Sequence, residues 1–190
     1  MNDPVSDEQL VAEALRGNRD AFAELVHRYK HKVYGLLRGM GAGEMDAQDL
    51  AQETFLKAYR GLAGHDSSRS FASWLYAIAA NGLRDHWKRR RPSAEAAIAA
   101  ETSGGESPED IYLQAERRSE LQERLKRLPE NYRMALLLRY TNDLTYEEIS
   151  GILAVPIAKV QNDLHRAKKR LKQVITEEEG AAVHEMLKQR

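Results

Sequence analysis

The chain has 190 residues, with 29 basic and 29 acidic side chains and no cysteine. This length suits one sizeable domain or two small helical ones, and the lack of cysteine excludes disulfides and thiolate metal sites. No apolar run approaches membrane-spanning length, and the first residues lack the basic and apolar segments of a secretion signal. We therefore expect a cytoplasmic protein with no membrane insertion of its own.

The first forty residues predict two helices. Ser6 or Asp7 can cap a helix that ends at Leu15, before a Gly-Asn pair. From Ala21 onward, apolar residues recur at the spacing of one buried helical face. The glycine-rich run 39–43 lacks the spacing of a phosphate-binding loop, so it is interpreted as a helix end and a connection.

A third helix is predicted from Asp46 to Leu62, and its outer face suggests a docking surface. An exposed leucine, Leu56, lies there among polar side chains, although an incidental leucine on a solvated face is the alternative. The outer face comprises Asp49, Gln52, Glu53, Leu56 and Arg60. The predicted buried face comprises Ala47, Ala51, Phe55, Ala58, Tyr59 and Leu62.

A fourth helix is predicted from Phe71 to Arg91, after the turn-rich segment 61–70, and it carries two apolar stripes. Aromatic rings beside cationic groups suit unstacked bases and their phosphates, whereas packing of the rings on a neighbouring helix is the alternative. The first stripe, expected in the core, is Phe71, Trp74, Leu75, Ile78, Ala79 and Gly82. The second is Tyr76, Ala80, Leu83 and Trp87, flanked by Arg84, Lys88 and Arg91.

Residues 92–111 form an acidic segment rich in small residues, with five carboxylates and no lysine or arginine. Such a composition predicts a flexible linker, and the alternative is a phosphate mimic inside a basic channel. The sequence thus divides into an N-terminal part, 1–91, and a C-terminal part, 112–176, followed by a tail, 177–190.

The C-terminal part predicts a helix-turn-helix. Pro129 ends a helix whose stripe is Leu121, Leu125 and Leu128, and Thr145 with Glu148 forms a capping box at a later helix start. The turn 154–156 then leads into a long amphipathic helix. Its outer face, Ala158, Gln161, Asn162, His165, Arg166 and Lys169, suits base edges and phosphates, whereas a charged helix in a bundle is the alternative.

Four segments together resemble the extracytoplasmic-function sigma factors of bacterial RNA polymerase. They are DAQDLAQETFLKAYRGL, FASWLYAIAANGLRDHWKRRR, LPENYRMALLLRYTNDLTYEEISGIL and LHRAKKRL, in the family's order, and the similarity spans roughly residues 8–175. The resemblance implies an all-α fold of two small helical domains joined by the flexible acidic linker. The domain 1–91 would correspond to sigma region 2, which recognises the promoter minus-10 element, and 112–176 to region 4, which reads the minus-35 element.

The resemblance also implies residue roles. Asp49 and its neighbours on the outer face of the third helix would dock on the beta-prime clamp helices of core polymerase; the set is Asp49, Gln52, Glu53 and Leu56. The beta subunit of the polymerase is a further expected partner. The minus-10 contacts are Ser67, Ser68 and Arg69, in a loop that captures a flipped base, with Tyr76, Asn81, Arg84, Trp87, Lys88 and Arg91. The minus-35 contacts are Ala158, Lys159, Gln161, Asn162, His165, Arg166 and Lys169. Promoter DNA and an anti-sigma factor, which can hold the protein at the membrane, are the other expected partners.

The chain departs from the family's pattern at 158–163. Family members often have Gly-Thr where this chain has Ala158 and Lys159, and basic or small hydroxyl residues in place of Gln161, Asn162 and Asp163. We expect Asp163 to lie at the flank of the DNA-facing surface and to repel phosphates there. The preferred minus-35 sequence is therefore left open.

Two other classes of protein were considered. A conventional duplex-binding regulator would use the helix-turn-helix but not the surface around Leu56. A hydrolase would need a set of ligands or a nucleophile with a base, for which His86 beside Asp85 is a weak candidate. His27 and His31 are four residues apart and could share a metal, but no glutamate follows His27 as in a zincin motif, so they are interpreted as surface histidines. We expect no cofactor, no metal and no catalytic residue.

Overall fold

The computed structural model describes residues 5–89 and 119–188, with side chains up to 178, and every regular element in these ranges is helical. The N-terminal domain contains α1 (Asp7–Leu15), α2 (Arg19–Gly39), α3 (Glu44–Gly61), a 3₁₀ turn (Leu62–Gly64) and α4 (Phe71–Arg89). The C-terminal domain contains α5 (119–126), α6 (Glu130–Tyr140), α7 (Tyr146–Leu153) and α8 (Ile157–Lys188). The predicted all-α class is confirmed, and the predicted linker 92–111 lies outside the described residues.

Local sequence signals determine where helices begin. The Ser6 hydroxyl accepts a hydrogen bond from the Gln9 backbone N–H at 3.3 Å, and the Gln9 side chain accepts one from the Ser6 N–H at 3.0 Å. At α7, Thr145 and Glu148 form the same reciprocal pair, at 3.2 and 2.9 Å. Each pair satisfies two backbone donors that a helix start leaves free. The two predicted helix starts are confirmed.

The N-terminal core lies between α2, α3 and α4. Leu25, Val33 and Leu37 of α2 are fully buried, as the predicted stripe requires. On α3, Tyr59 was expected in the core but is 49% exposed, with its ring edge-on to Phe22 at 4.9 Å. Two other residues of α3, Leu50 and Thr54, are buried although they were not predicted in the core.

Helix α4 is buried on both of its apolar stripes, which corrects the sequence-based interpretation of the second stripe. Tyr76 is 1% exposed, and its ring lies 6.2 Å from that of Tyr29. Ala80 and Leu83 are buried as well. The reason is that α4 packs against α2 and α3 on one side and against α7 of the C-terminal domain on another. The surface that Tyr76 was predicted to present to DNA is therefore inside the molecule in this arrangement.

The C-terminal domain contains the predicted helix-turn-helix. Helix α7 ends at Leu153 and is capped by Ala154, whose φ of 53° is left-handed, and Val155 and Pro156 lead into α8. The inward face of α8 is buried at Val160, Leu164, Ala167 and Val174. Leu121, predicted in the core, is 49% exposed. Among the described residues, no helix has the length and apolar character that a membrane span requires.

The segment after 176 continues α8 rather than starting a new helix. Glu178 accepts hydrogen bonds from Arg124 Nε at 2.7 Å and Arg127 Nη1 at 2.9 Å, and Glu177 accepts one from Arg127 Nη2 at 3.0 Å. These four side chains join α8 to α5. The part of α8 around residues 177–178 is thereby tied to the start of the described part of the C-terminal domain.

The two domains touch through polar and apolar contacts. The Ser70 hydroxyl donates a hydrogen bond to Glu148 of α7, and Arg133 Nη1 of α6 donates one to the Met40 carbonyl at 2.8 Å. Gly39 of α2 faces the side chain of Leu137 in α6. We refer to this set as the interdomain contact.

Candidate protein and nucleic-acid interfaces

The outer face of α3 presents an exposed apolar side chain between polar ones. Leu56 is 55% exposed, and Asp49 and Gln52 are exposed on the same face. Glu53 forms an ion pair with Lys57 at 2.8 Å, and the hydrogen bond from Lys57 lowers the pKa of the Glu53 carboxyl. These side chains, which the sequence placed outside, are accessible to a partner.

Met45 extends this face and was missed by the sequence analysis. It is 78% exposed, and it precedes Asp49, Gln52 and Leu56 by 4, 7 and 11 residues, which is the repeat of one helical face. Extending that spacing one turn toward the helix start would have found it. Met45 and Leu56 thus give the surface two apolar groups about three turns apart.

The loop between the 3₁₀ turn and α4 is built around two serines and an aspartate. Asp66 Oδ1 accepts a hydrogen bond from the Ser68 N–H at 2.9 Å, which lowers the pKa of the Asp66 carboxyl. The Ser70 hydroxyl accepts one from the Ser73 N–H at 3.2 Å at the start of α4. These bonds fix the loop backbone and leave exposed the three predicted base-contacting residues, Ser67, Ser68 and Arg69.

A cavity of about 290 Å³ opens beside this loop. Its N-terminal wall includes Ser68, Arg69 and Trp74, and its other wall is α7, with Glu147 and Glu148. The ring of His65 lies 4.8 Å from that of Trp74 and packs against it. The cavity therefore combines an aromatic surface and a cation with carboxylates from the other domain.

Toward its C-terminal end, α4 presents the predicted basic surface. Asn81 and Lys88 are exposed, whereas Arg84 and Trp87 are half-buried. Arg84 Nη1 donates a hydrogen bond to Asn81 Oδ1 at 3.2 Å. Trp87 packs against the core and is partly exposed. Arg91 lies outside the described residues.

The outer face of α8 is exposed as predicted. The predicted minus-35 residues are all exposed and lie within the first four turns of the helix: Ala158, Lys159, Gln161, Asn162, His165, Arg166 and Lys169. Amide, imidazole and cationic groups in this order can address base edges and phosphates in a major groove.

Asp163 does not face the DNA-binding side, which corrects the expectation that it repels phosphates. It is 5% exposed, forms an ion pair with Lys159 Nζ at 2.9 Å, and accepts a hydrogen bond from Asn131 Nδ2 at 3.1 Å. Its charge is thus neutralised inside the domain, where it joins α8 to the first turn of α6. The partner 32 residues away could not be identified from spacing.

We expect replacement of Asp163 by alanine to destabilise the C-terminal domain without strengthening DNA binding. The change removes the buried carboxylate that accepts the hydrogen bond from Asn131 and pairs with Lys159, so the free energy of unfolding should fall by about 1.5 to 3 kcal/mol. Urea denaturation measures this loss, with Asn162→Ala as the exposed neighbouring control. Tighter binding of the variant to duplex DNA, with unchanged stability, would mean that Asp163 does repel DNA phosphates.

The pair considered for hydrolysis is not assembled. His86 Nε2 lies 3.6 Å from Asp46 Oδ2 on α3, whereas Asp85 is exposed and approaches Lys88 at 3.9 Å. His27 and His31 are both exposed. Across the residues that the structure describes, no three potential metal-ligating side chains cluster.

Comparisons with known proteins agree on both domains. Residues 25–92 match the family model Sigma-70 region 2, and residues 118–171 match Sigma-70, region 4. The ECF RNA polymerase sigma factor SigW of Bacillus subtilis is 32% identical over 175 residues, which cover 85% of this chain and 92% of SigW. The RNA polymerase sigma-H factor of Pseudomonas aeruginosa is 38% identical over 173 residues, which cover 85% and 90%.

A solved structure has a similar fold over most of the chain. CnrH, determined in complex with the cytosolic domain of CnrY, superposes with a TM-score of 0.70 at 26% sequence identity. The match covers 90% of this chain and 97% of CnrH.

Proposed function

This chain belongs to the extracytoplasmic-function group of the sigma-70 family. We propose that three of its surfaces, on α3, on loop 64–70 with α4, and on α8, have separate roles in promoter-specific transcription initiation. As a sigma factor, the protein combines with RNA polymerase and directs it to promoters. The outer face of α3 docks on the beta-prime clamp helices. The loop 64–70 with the basic end of α4 holds the minus-10 strand, and the outer face of α8 reads the minus-35 duplex.

The observation that carries this assignment is the coexistence of an exposed apolar docking face and a helix-turn-helix in one chain. A duplex-binding regulator has no use for Leu56 and Met45 exposed on a separate domain. An exposed leucine and methionine on one helical face are typical of a protein interface rather than of solvated surface. The surfaces on α8 and α4 would then contact the same promoter DNA, each from its own domain.

Assistance with promoter melting is part of the proposal. Bases leave the stack when the duplex opens, and an accessible aromatic ring stabilises each unstacked base by roughly 1 to 3 kcal/mol. Trp87 and the loop beside Trp74 offer such rings next to cations. The reaction needs no catalytic residue of this chain, because bond formation belongs to the polymerase.

The proposed partners and location follow from the family. The protein acts in the cytoplasm with the polymerase, and an anti-sigma factor is its regulator. That CnrH was solved with the cytosolic domain of CnrY supports a protein partner of this kind.

Adding the purified protein to core polymerase tests the function directly. We expect a stable complex and transcripts that begin at defined sites on genomic DNA fragments, whereas core polymerase alone gives none. Failure to bind core, with duplex binding retained, would favour the conventional regulator. Hydrolysis of a substrate without either binding activity would favour the enzyme class.

Replacing Trp87 by alanine should impair open-complex formation about tenfold to a hundredfold, since one stacking partner is lost. Binding of the C-terminal domain to minus-35 duplex should be unchanged. Permanganate reactivity of unpaired thymines measures opening, and duplex mobility shifts measure the second quantity. Because Trp87 also packs on the core, thermal unfolding of the variant is the necessary control, and equal losses in the two assays would contradict a stacking role.

A further inference from the structure

Sulfur occurs in this protein only as methionine, and the described methionines differ sharply in exposure. The chain has five methionines and no cysteine. Met40 and Met134 are each 1% exposed in the core, whereas Met45 on α3 is 78% exposed. Among the methionines whose side chains the structure describes, Met45 is therefore the one that is open to solvent.

Met45 lies at one end of a line of apolar side chains on the outer face of α3. Leu56 and Tyr59 follow it by 11 and 14 residues, which places all three on one side of the helix, and both are exposed. Asp49 and Gln52 lie between them on the same side. At about 1.5 Å per residue, Met45 is about 17 Å from Leu56 along the helix axis. A partner that binds along α3 would therefore contact these two apolar groups at separate points.

The exposure of Met45 also separates its role in binding from any role in folding. A side chain with so little internal packing can change its polarity without disturbing the core. The same change at Met40 or Met134 would place a polar group in a closely packed interior. A chemical modification of Met45 should therefore alter the docking surface and leave the domain folded.

An exposed thioether is a target for peroxides. The sulfur lone pair attacks one oxygen of hydrogen peroxide, an S–O bond forms as the O–O bond breaks, and the other oxygen leaves as water. The sulfur loses two electrons, and the peroxide is reduced. The product, methionine sulfoxide, has a polar oxygen that accepts hydrogen bonds where the thioether was apolar.

Resting on the proposed docking of α3 on core polymerase, we propose that Met45 is an oxidation site whose sulfoxide form weakens that docking. Binding then requires desolvation of the sulfoxide oxygen at a point where an apolar group was buried before. Reduction by a methionine sulfoxide reductase restores the thioether and with it the affinity. Peroxide thus lowers the share of this sigma factor that is bound to polymerase, and the effect is reversible.

The experiment oxidises the purified full-length protein with hydrogen peroxide and removes the peroxide before core polymerase is added. Peptide mass spectrometry should show the gain of one oxygen atom at Met45 before it appears at Met40 or Met134. We expect the dissociation constant for immobilised core polymerase to rise about tenfold or more, because the burial of one apolar side chain is replaced by desolvation of a polar one. Treatment with the reductase should reverse the rise.

The matched control is Met45→Leu, which keeps the other four methionines but has no sulfur at this position. The ratio of dissociation constants before and after peroxide is compared within each protein, so any effect of leucine itself cancels. We expect a ratio of about ten or more for the wild type and about one for the variant. Equal ratios would overturn the inference, because the effect would then arise from another methionine.

A permanent polar group tests the same site without an oxidant. Met45→Gln should weaken core binding to about the same degree as oxidation, with unchanged helicity by circular dichroism. Core binding by Met45→Gln as tight as that of the untreated wild type would overturn the inference.

The outcome for the untreated protein separates this inference from the proposed function. If untreated wild-type protein does not bind core polymerase, the proposed function itself is wrong and the oxidation inference falls with it. If it binds equally well with and without complete sulfoxide formation at Met45, the docking stands and the oxidation inference alone is overturned. Binding to minus-35 duplex should be unchanged by oxidation, since the outer face of α8 contains no methionine among its predicted contacts.

Discussion

Replacing Leu56 by arginine is expected to abolish binding to core polymerase while leaving the N-terminal domain folded. Burying a leucine in an interface contributes about 1.5 to 3 kcal/mol, and an unpaired guanidinium in its place adds a desolvation penalty. The dissociation constant should therefore rise on the order of a hundredfold or more. Because Leu56 is 55% exposed, its loss removes little from the core.

The control for this variant is Leu15→Arg, which introduces the same charge at a leucine that is 52% exposed on α1 of the same domain. Surface plasmon resonance with immobilised core polymerase measures the affinity, and circular dichroism measures helicity. Equal loss of binding in both variants would mean that added charge, rather than the α3 face, is responsible. Loss of helicity in Leu56→Arg alone would place Leu56 in the core.

Two substitutions on α8 should separate recognition of sequence from attraction to phosphate. Gln161→Ala removes a group that can form two hydrogen bonds with a base, so the preferred site should lose about 1 to 3 kcal/mol relative to a site changed at one base pair. Lys169→Ala removes a cation, so affinity should fall alike for every duplex. The slope of log affinity against log salt should then become shallower by about 0.9.

The charge-matched control is Lys126→Ala, since Lys126 is exposed on α5 and paired with Glu123 at 2.6 Å. Fluorescence anisotropy over a salt series, with a preferred and a mutated duplex, measures affinity and slope for all three variants. A change of salt slope in Gln161→Ala, or of base preference in Lys169→Ala, would reverse the assigned roles.

Features that depend on neighbouring residues were predictable from the sequence. The capping boxes at Ser6 and Thr145 involve residues three apart, so their geometry follows from the backbone alone. The exposed position of Leu56 follows from helical periodicity, because the opposite face of α3 is strongly apolar. The helix-turn-helix was recognisable because its cap, its turn and its amphipathic helix follow one another within thirty residues.

Features that depend on distant partners were not predictable. The helical wheel separates Tyr76 from the first stripe of α4, but it cannot show that Tyr76 lies against Tyr29 of α2 or that α7 also packs on α4. Asp163 lies at a position that periodicity assigns to the flank, and only the contact with Asn131 shows that it points inward. In both places a polar or aromatic side chain was predicted at the surface. It is buried instead, because a residue distant in the sequence packs against it.

Helix α8 extends well beyond its DNA-facing turns. Its 32 residues span about 48 Å at about 1.5 Å per residue, and the DNA-facing side chains occupy only the first four turns. Beyond those turns, Arg124 and Arg127 form ion pairs with Glu177 and Glu178 of the helix. The orientation of the DNA-facing turns relative to α5 is therefore fixed in part by these ion pairs. Because these ion pairs are exposed, the attraction between α5 and α8 weakens as ionic strength rises.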